Sequence, residues 1–280
     1  MFSFFASLFG YILNAIYGVV NNYGLAIIIF TVILKTVMLP ISIKQQKKMK
    51  KSAKIQVKAK EIQEKYSNDQ VRQSQELMDL YKKENMSPFS GCLSSIVQML
   101  IILSVFYLVS SPLTYMKHID SDVVQELVQQ VNERQGSGGV RYREIAVIKE
   151  FSGTDERVSL NMDFLGLDLS DVPSQNYKED WKVFVIPVLY VVTSIISMKI
   201  TTSMNNKKKD ENKDETKKDE NDEMAAINDM NKQMMLMMPI MSVSISLIAP
   251  LGLALYWLVS NVLMIVERVT LNRFFKEEEE

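Results

Sequence analysis

Residues 22–43 read NYGLAIIIFTVILKTVMLPISI and carry a single charged side chain, that of Lys35. A helix rises about 1.5 Å per residue, so this stretch is long enough to cross a hydrocarbon core of about 30 Å. A lysine in the middle of such a helix costs about 2.5–3.5 kcal/mol on insertion scales. The stretch therefore predicts a membrane-spanning helix whose one cation needs a compensating environment.

The charges of the remaining chain are segregated in the same way. The 280 residues include 32 Lys and Arg and 33 Asp and Glu, with a net charge of −1, yet several long apolar stretches carry no charge at all. Such stretches exclude a soluble single-domain protein and predict an all-α polytopic membrane protein. Pro250 and Gly252 divide the last stretch, residues 233–266, into two short spans. The five predicted spans are residues 22–43, 88–110, 181–202, 230–249 and 250–268.

The inventory of reactive side chains excludes most catalytic and metal sites. The chain has one cysteine, Cys92, and one histidine, His118. These counts exclude a disulfide framework, nearly all histidine-based metal sites and histidine-dependent triads. There is no nucleotide-binding motif. No Asp or Glu lies in the core of a predicted span, whereas ion-coupled transporters usually need a carboxylate there. We predict a non-enzyme without metal, cofactor or direct DNA binding.

Residues 1–21 differ from the predicted spans because small and polar residues recur on one helical side. Ser3, Gly10 and Gly18 lie on that side, and Leu8 and Ile12 belong to the apolar side. This pattern predicts an amphipathic helix that lies in the membrane interface. A signal peptide is the alternative, but no Lys or Arg precedes Lys35.

The segments between the spans differ in composition. Residues 44–87, rich in Lys, Gln and Glu, predict a cytoplasmic helical hairpin in which an Asn or Asp near residue 69 caps the second helix. A solvated coiled-coil arm without a specific partner is the alternative. Residues 203–229 are highly charged and predict a disordered cytoplasmic loop, and residues 269–280 predict a cytoplasmic tail.

Residues 111–180 are predicted to form a small extracellular segment. A helical pattern lies near Asp122–Arg134, a glycine-rich turn at residues 136–139 and a strand at Val140–Ile148. This segment has more acids than bases, whereas residues 44–83 have more bases. The positive-inside rule then predicts a cell-membrane protein with its N-terminus outside and its C-terminus in the cytoplasm.

Polar side chains recur at mid-depth or in the inner half of several predicted spans. Together they predict a hydrated cavity, open to the cytoplasm, around the one intramembrane cation. Two alternatives remain open, namely snorkelling of the lysine to the interface and ordinary hydrogen bonding between helices. The residues are Thr31, Lys35, Ser94, Gln98, Trp257, Ser260 and Asn261.

Methionines cluster at the entry to the fourth predicted span and include Met237 and Met241. Methionine is flexible and polarizable, so such a cluster can form an adaptable apolar surface for varied segments. Ordinary packing against lipid or neighbouring helices is the alternative.

A set of short motifs runs through nearly the whole chain in a characteristic order. The motifs are Asn22–Ile28 (NYGLAII), Leu39-Pro40, Ser87–Leu93 (SPFSGCL), Phe164–Leu169 (FLGLDL) and Gly252–Trp257 (GLALYW). With the intramembrane cation and the basic hairpin, they resemble the YidC/Oxa/Alb family of membrane protein insertases, of the five-span bacterial kind.

The resemblance implies five helices around a hydrophilic groove that is open to the cytoplasm and to lipid and closed on the outside. Lys35 would be the groove cation that attracts acidic translocated parts of a substrate, with Gln98 and Trp257 as lining partners. The apolar span of the substrate would leave along a greasy slide. The slide residues it implies are Met99, Ile102, Phe106, Met237 and Met241.

The partners that the resemblance implies are nascent membrane proteins and the lipid bilayer. The Sec translocon, the signal recognition particle pathway and the ribosome are candidate partners of the cytoplasmic loops. The chain departs from the family in having lysine as the cation, Ser94 where proline is common, and an acidic tail. A membrane scaffold, a Sec-dependent chaperone and a small-solute channel are the alternative functions.

Overall fold

The computed structural model describes residues 2–84, 90–135, 142–178, 180–206 and 244–277, and this part of the chain is almost entirely helical. A short 3₁₀ turn, Trp181–Phe184, precedes α9. The helices are α1 (Phe2–Val20), α2 (Tyr23–Lys65), α3 (Gln70–Lys83), α4 (Ser90–Ser110), α5 (Pro112–Tyr115), α6 (Ser121–Gln135), α7 (Arg143–Phe151), α8 (Pro173–Asn176), α9 (Val185–Asn206), α10 (244–248) and α11 (Leu251–Glu277).

In the part of the chain that the structure describes, four helical stretches are long and apolar enough to cross a membrane. They are Phe2–Val20, Tyr23–Lys48, Trp181–Ile200 and Leu251–Arg273. In α4 a shorter apolar stretch, Gln98–Ser110, qualifies by composition but not by length. These helices support an all-α polytopic membrane protein. The predicted count of five spans stays a prediction because residues 230–243 of the fourth span lie outside the described residues, as do residues 207–229 of the loop before it.

The first predicted span continues into the hairpin without a break. The helix α2 is 43 residues long and contains Pro40, so no helix end separates residues 43 and 44. It reverses direction at Tyr66, and Asp69 caps α3 by accepting a hydrogen bond from Arg72 N at 3.0 Å, as the sequence indicates. Glu84, which follows α3, accepts hydrogen bonds from Lys51 and Lys58 of α2 and holds the two helices together.

The helix α1 packs through a face of small and apolar residues. Ala6, Gly10 and Leu13 are buried, whereas Leu8 and Ile12 of the predicted apolar side are exposed. The helix contacts α2, α4 and α5 through the buried face. Gly10, on the side where small and polar residues recur, is buried because its missing side chain lets α1 approach the backbone of α5.

In the segment between α4 and α9, the helices α5, α6 and α7 pack together, and their buried side chains are continuous with the core of the long helices. The predicted helix near Asp122–Arg134 is confirmed as α6, but the predicted strand at Val140–Ile148 is wrong, because α7 is helical from Arg143 to Phe151. Ile145, Ile148 and Phe151 are buried at helical spacing, and this packing overrides the strand preference of β-branched residues. The predicted turn at residues 136–139 lies outside the described residues.

Glu144 of α7 is a buried acid, with 7% of its surface exposed. Its carboxylate accepts hydrogen bonds from Thr114 N at 3.0 Å and from Thr114 Oγ1 at 2.6 Å. Burial raises the pKa of this carboxyl above its usual 4.5, and the hydrogen bonds from Thr114 oppose part of that rise. The contact joins α7 to α5.

Glu144→Gln is expected to flatten the dependence of stability on pH. Because the folded chain keeps the proton to a higher pH than the unfolded chain, the stabilisation is complete below the usual pKa of 4.5 and is lost as the pH rises through the raised pKa. Glutamine keeps both contacts with Thr114, since a hydroxyl can donate or accept. Thermal unfolding of both proteins in detergent at several pH values measures this, and equal slopes would contradict it.

A two-stranded hairpin joins the ends of α2 and α11. Its strands, β1 (Asp163–Phe164) and β2 (Leu167–Asp168), are antiparallel, with Phe164 opposite Leu167. On one side Tyr23 N donates to Asn161 O at 3.0 Å, and on the other Gly252 N donates to Leu169 O at 2.9 Å. Both helices therefore begin at the same side of the molecule, next to this hairpin.

Candidate functional site

Lys35 lies on α2, 12 residues beyond Tyr23, which is about 18 Å along the helix. Its side chain is half-buried. One turn before it, Thr31 is fully buried, and its Oγ1 donates to Ile27 O at 2.6 Å. The Thr31 hydroxyl thus makes its hydrogen bond within α2. The side chain of Lys35 is longer and partly accessible.

Among the described residues, the charges that act on Lys35 come from the second half of α11. Glu267 attracts the ammonium and Arg268 repels it, so the two effects oppose each other. Both residues follow directly after the charge-free stretch 233–266. Sequence reasoning missed them, although their position as the first charges beyond an apolar stretch was a usable signal.

A polar contact joins α11 to α9 at the level of Asn261. The buried amide Nδ2 of Asn261 donates to Ser194 Oγ at 3.0 Å and to Thr193 Oγ1 at 3.3 Å. One turn earlier, the rings of Trp257 and Tyr190 lie 6.1 Å apart between centroids, at 37°. These are hydrogen bonds between helices, the alternative that the sequence left open for such residues.

The residues of α4 that are predicted to line the groove and the greasy slide are mostly exposed, where the structure describes them. Gln98 is exposed, Met99 has 56% and Ile102 has 41% of its surface accessible, and Phe106 is partly buried against the core. Met99, Ile102 and Phe106 share one helical face. The structure therefore provides an accessible apolar stripe next to a polar amide, as a surface for lipid or for an apolar segment.

The structure brings together part of the predicted set. Trp257, Ser260 and Asn261 lie together on α11, which packs against both α2 and α9. The side chain of Ser94, and Met237 and Met241 altogether, lie outside the described residues. In the described ranges no group of three or more His, Cys, Asp or Glu could hold a metal ion.

Comparison with known proteins gives a consistent family match. The family model described as the 60Kd inner membrane protein matches residues 15–279. The chain is 28% identical over 260 residues to a protein named membrane protein insertase YidC from Chlorobaculum parvum, covering 93% of this chain and 34% of that protein.

Two further relatives carry the same name. The one from Rickettsia conorii is 27% identical over 264 residues, covering 94% of this chain and 38% of the relative. The one from Geobacter metallireducens is 27% identical over 262 residues, covering 93% and 35%. The chain thus spans little more than a third of the length of the curated relatives it matches.

Proposed function

The chain belongs to the YidC/Oxa family, that of the 60Kd inner membrane protein, and on this premise we propose that it is a membrane protein insertase. It receives nascent membrane proteins in a hydrated cationic groove and releases their apolar spans sideways into the bilayer. It works without nucleotide hydrolysis and is not an enzyme. The chain is a multi-pass membrane protein of the cell membrane.

The observation that carries this proposal is Lys35, the one charged residue in the apolar stretch 22–43 with which α2 begins. Lys35 is half-buried about 18 Å along α2, in a stretch that is otherwise uncharged from Tyr23 to Ile43. A charge at this depth needs water or a partner, and a water-filled cavity meets the need. Such a cavity attracts acidic substrate segments and shortens their path through hydrocarbon.

The exposed face of α4 supports lateral release. Met99 and Ile102 present apolar surface next to Gln98, so a substrate can keep its apolar span on the stripe and its polar flank at the amide. An apolar span of about 20 residues partitions into lipid spontaneously. The protein then needs only to lower the barrier for the polar flank, and no fuel is required.

The remaining parts have proposed roles that follow from charge. The basic hairpin of α2 and α3 meets substrate, ribosome, signal recognition particle or Sec translocon on the cytoplasmic side. With the basic hairpin in the cytoplasm, the N-terminus lies outside and the C-terminus in the cytoplasm. The excess of Lys and Arg in residues 44–83 favours this orientation. The hairpin that joins α2 and α11 then faces outward.

Reconstituted insertion tests the proposed function. Liposomes that contain only this protein receive a single-span test protein with a short acidic outer tail, and protease protection of the tail is scored. Protection well above that in empty liposomes is expected. Protection equal to that in empty liposomes would reject autonomous insertion and favour a Sec-dependent chaperone or a scaffold.

A further inference from the structure

The turn between β1 and β2 exposes an apolar side chain on an unfavourable backbone. Leu165 and Gly166 form the turn with φ values of 55° and 77°. Glycine tolerates this left-handed region, and asparagine does so better than leucine. The Leu165 side chain is nevertheless 88% exposed, so in water it would gain no packing to offset the strained conformation.

The position of this tip relative to the helices is fixed by close contacts. The ring of Phe164, the residue before Leu165, lies so close to Gly24 that an added Cβ would be 2.5 Å from it. Asn22 Nδ2 also donates to Asp163 O at 2.6 Å. The tip therefore sits beside the first turn of α2, where that helix enters its apolar stretch.

Aromatic residues are exposed at the same side of the molecule. Trp181 opens the 3₁₀ turn that leads into α9 and is 72% exposed, and Tyr177 shortly before it is exposed as well. The helices α2, α9 and α11 all begin at this side, which defines one membrane interface. Exposed tryptophan and tyrosine are typical of that interface, where an apolar ring meets headgroups.

We propose that the hairpin tip inserts Leu165 into the leaflet at which α2, α9 and α11 begin, and that Trp181 and Tyr177 anchor at the same level. The occupant of this surface is lipid, because the tip lies beside the first turn of a membrane-spanning stretch whose apolar residues Leu25 and Ile29 are themselves exposed. Burial of the leucine in lipid supplies the packing that water would not.

The anchor would set how deep two helices lie in the membrane. The hairpin is bonded to Tyr23 of α2 and to Gly252 of α11, so the depth of its tip fixes both helix ends. Lys35 follows about 18 Å along α2 and would be held at a constant depth below that leaflet. This inference does not depend on the insertase activity.

Site-directed fluorescence tests the proposal in the full chain in lipid vesicles. In a Cys92→Ser background, Leu165→Cys carries a polarity-sensitive fluorophore, and vesicles with and without nitroxide-labelled lipids are compared. Glu156→Cys, at an exposed position beside the Asp155–Arg157 ion pair, is the water-facing control. Trp181→Cys is a second reporter of the interface, so the test does not rely on one variant.

The expected result is emission shifted to the blue and strong nitroxide quenching at positions 165 and 181, with neither at position 156. Emission and quenching at position 165 equal to those at position 156 would overturn the proposal. A blue shift at position 165 without quenching would overturn it too, because the tip would then contact protein instead of lipid.

Discussion

Replacing Lys35 with leucine is expected to reduce the insertion of substrates with acidic translocated tails about tenfold, whereas Lys35→Arg should insert them nearly as well as the wild type. A partly hydrated charge pair near a protein surface contributes on the order of 1–2 kcal/mol, and about 1.4 kcal/mol corresponds to a factor of ten. Lys35→Glu should be worse than leucine, because it replaces attraction with repulsion. Initial rates of tail protection in proteoliposomes measure all three.

Two controls separate the electrostatic effect from damage to the fold. Lys199→Leu removes an exposed cation from the second half of α9 and should leave insertion unchanged. A substrate with an uncharged tail should be insensitive to Lys35→Leu. If all the Lys35 variants inserted acidic tails equally well, the lysine would merely snorkel, and the apolar stripe of α4 would account for insertion.

Arginine and lysine differ at this position in one chemical respect. The guanidinium keeps its proton under all relevant conditions, whereas an ammonium can lose it when water is withdrawn. In a closed, dry state Lys35 would therefore lose part of its attraction for acidic segments, whereas an arginine at this position would keep it.

Hydropathy and charge are enough to predict where the long helices lie. The stretch 22–43 lies at the start of α2, and 181–202 covers the 3₁₀ turn and most of α9, because an apolar stretch with few charges must satisfy its backbone in lipid by forming a helix. The cap at Asp69 was also predictable, since it depends only on residues within one turn. These features are local in sequence, and local rules decide them.

The contacts between helices could not be predicted in the same way. Lipid tails and helix surfaces are both apolar, so hydrophobicity does not indicate which face of a span packs on protein. Asn261 could have faced a groove, and only the structure shows that its amide bonds Thr193 and Ser194. The helix α7 was missed because isolated preferences are weaker than tertiary packing.

Gly10→Ala is expected to destabilise the protein by about 3 kcal/mol, at the upper end of the usual cost of overpacking. A Cβ at this position would lie 1.7 Å from the carbonyl oxygen of Tyr115 and 2.6 Å from its carbonyl carbon. Both atoms belong to backbone, which cannot rotate away as a side chain can. The helix α1 would have to move off α5 and loosen the packing of Ala6 and Leu13.

Gly18→Ala is the matched control, because the two glycines share a helix and a predicted face but differ in surroundings. No atom lies within 4 Å of a Cβ built at Gly18, so alanine there should stabilise the helix by up to about 1 kcal/mol. Thermal unfolding in detergent, followed by circular dichroism, should move in opposite directions for the two variants. A midpoint for Gly10→Ala at or above that of the wild type would mean that α1 does not approach α5 so closely, since a helix free of that contact gains from alanine at either position.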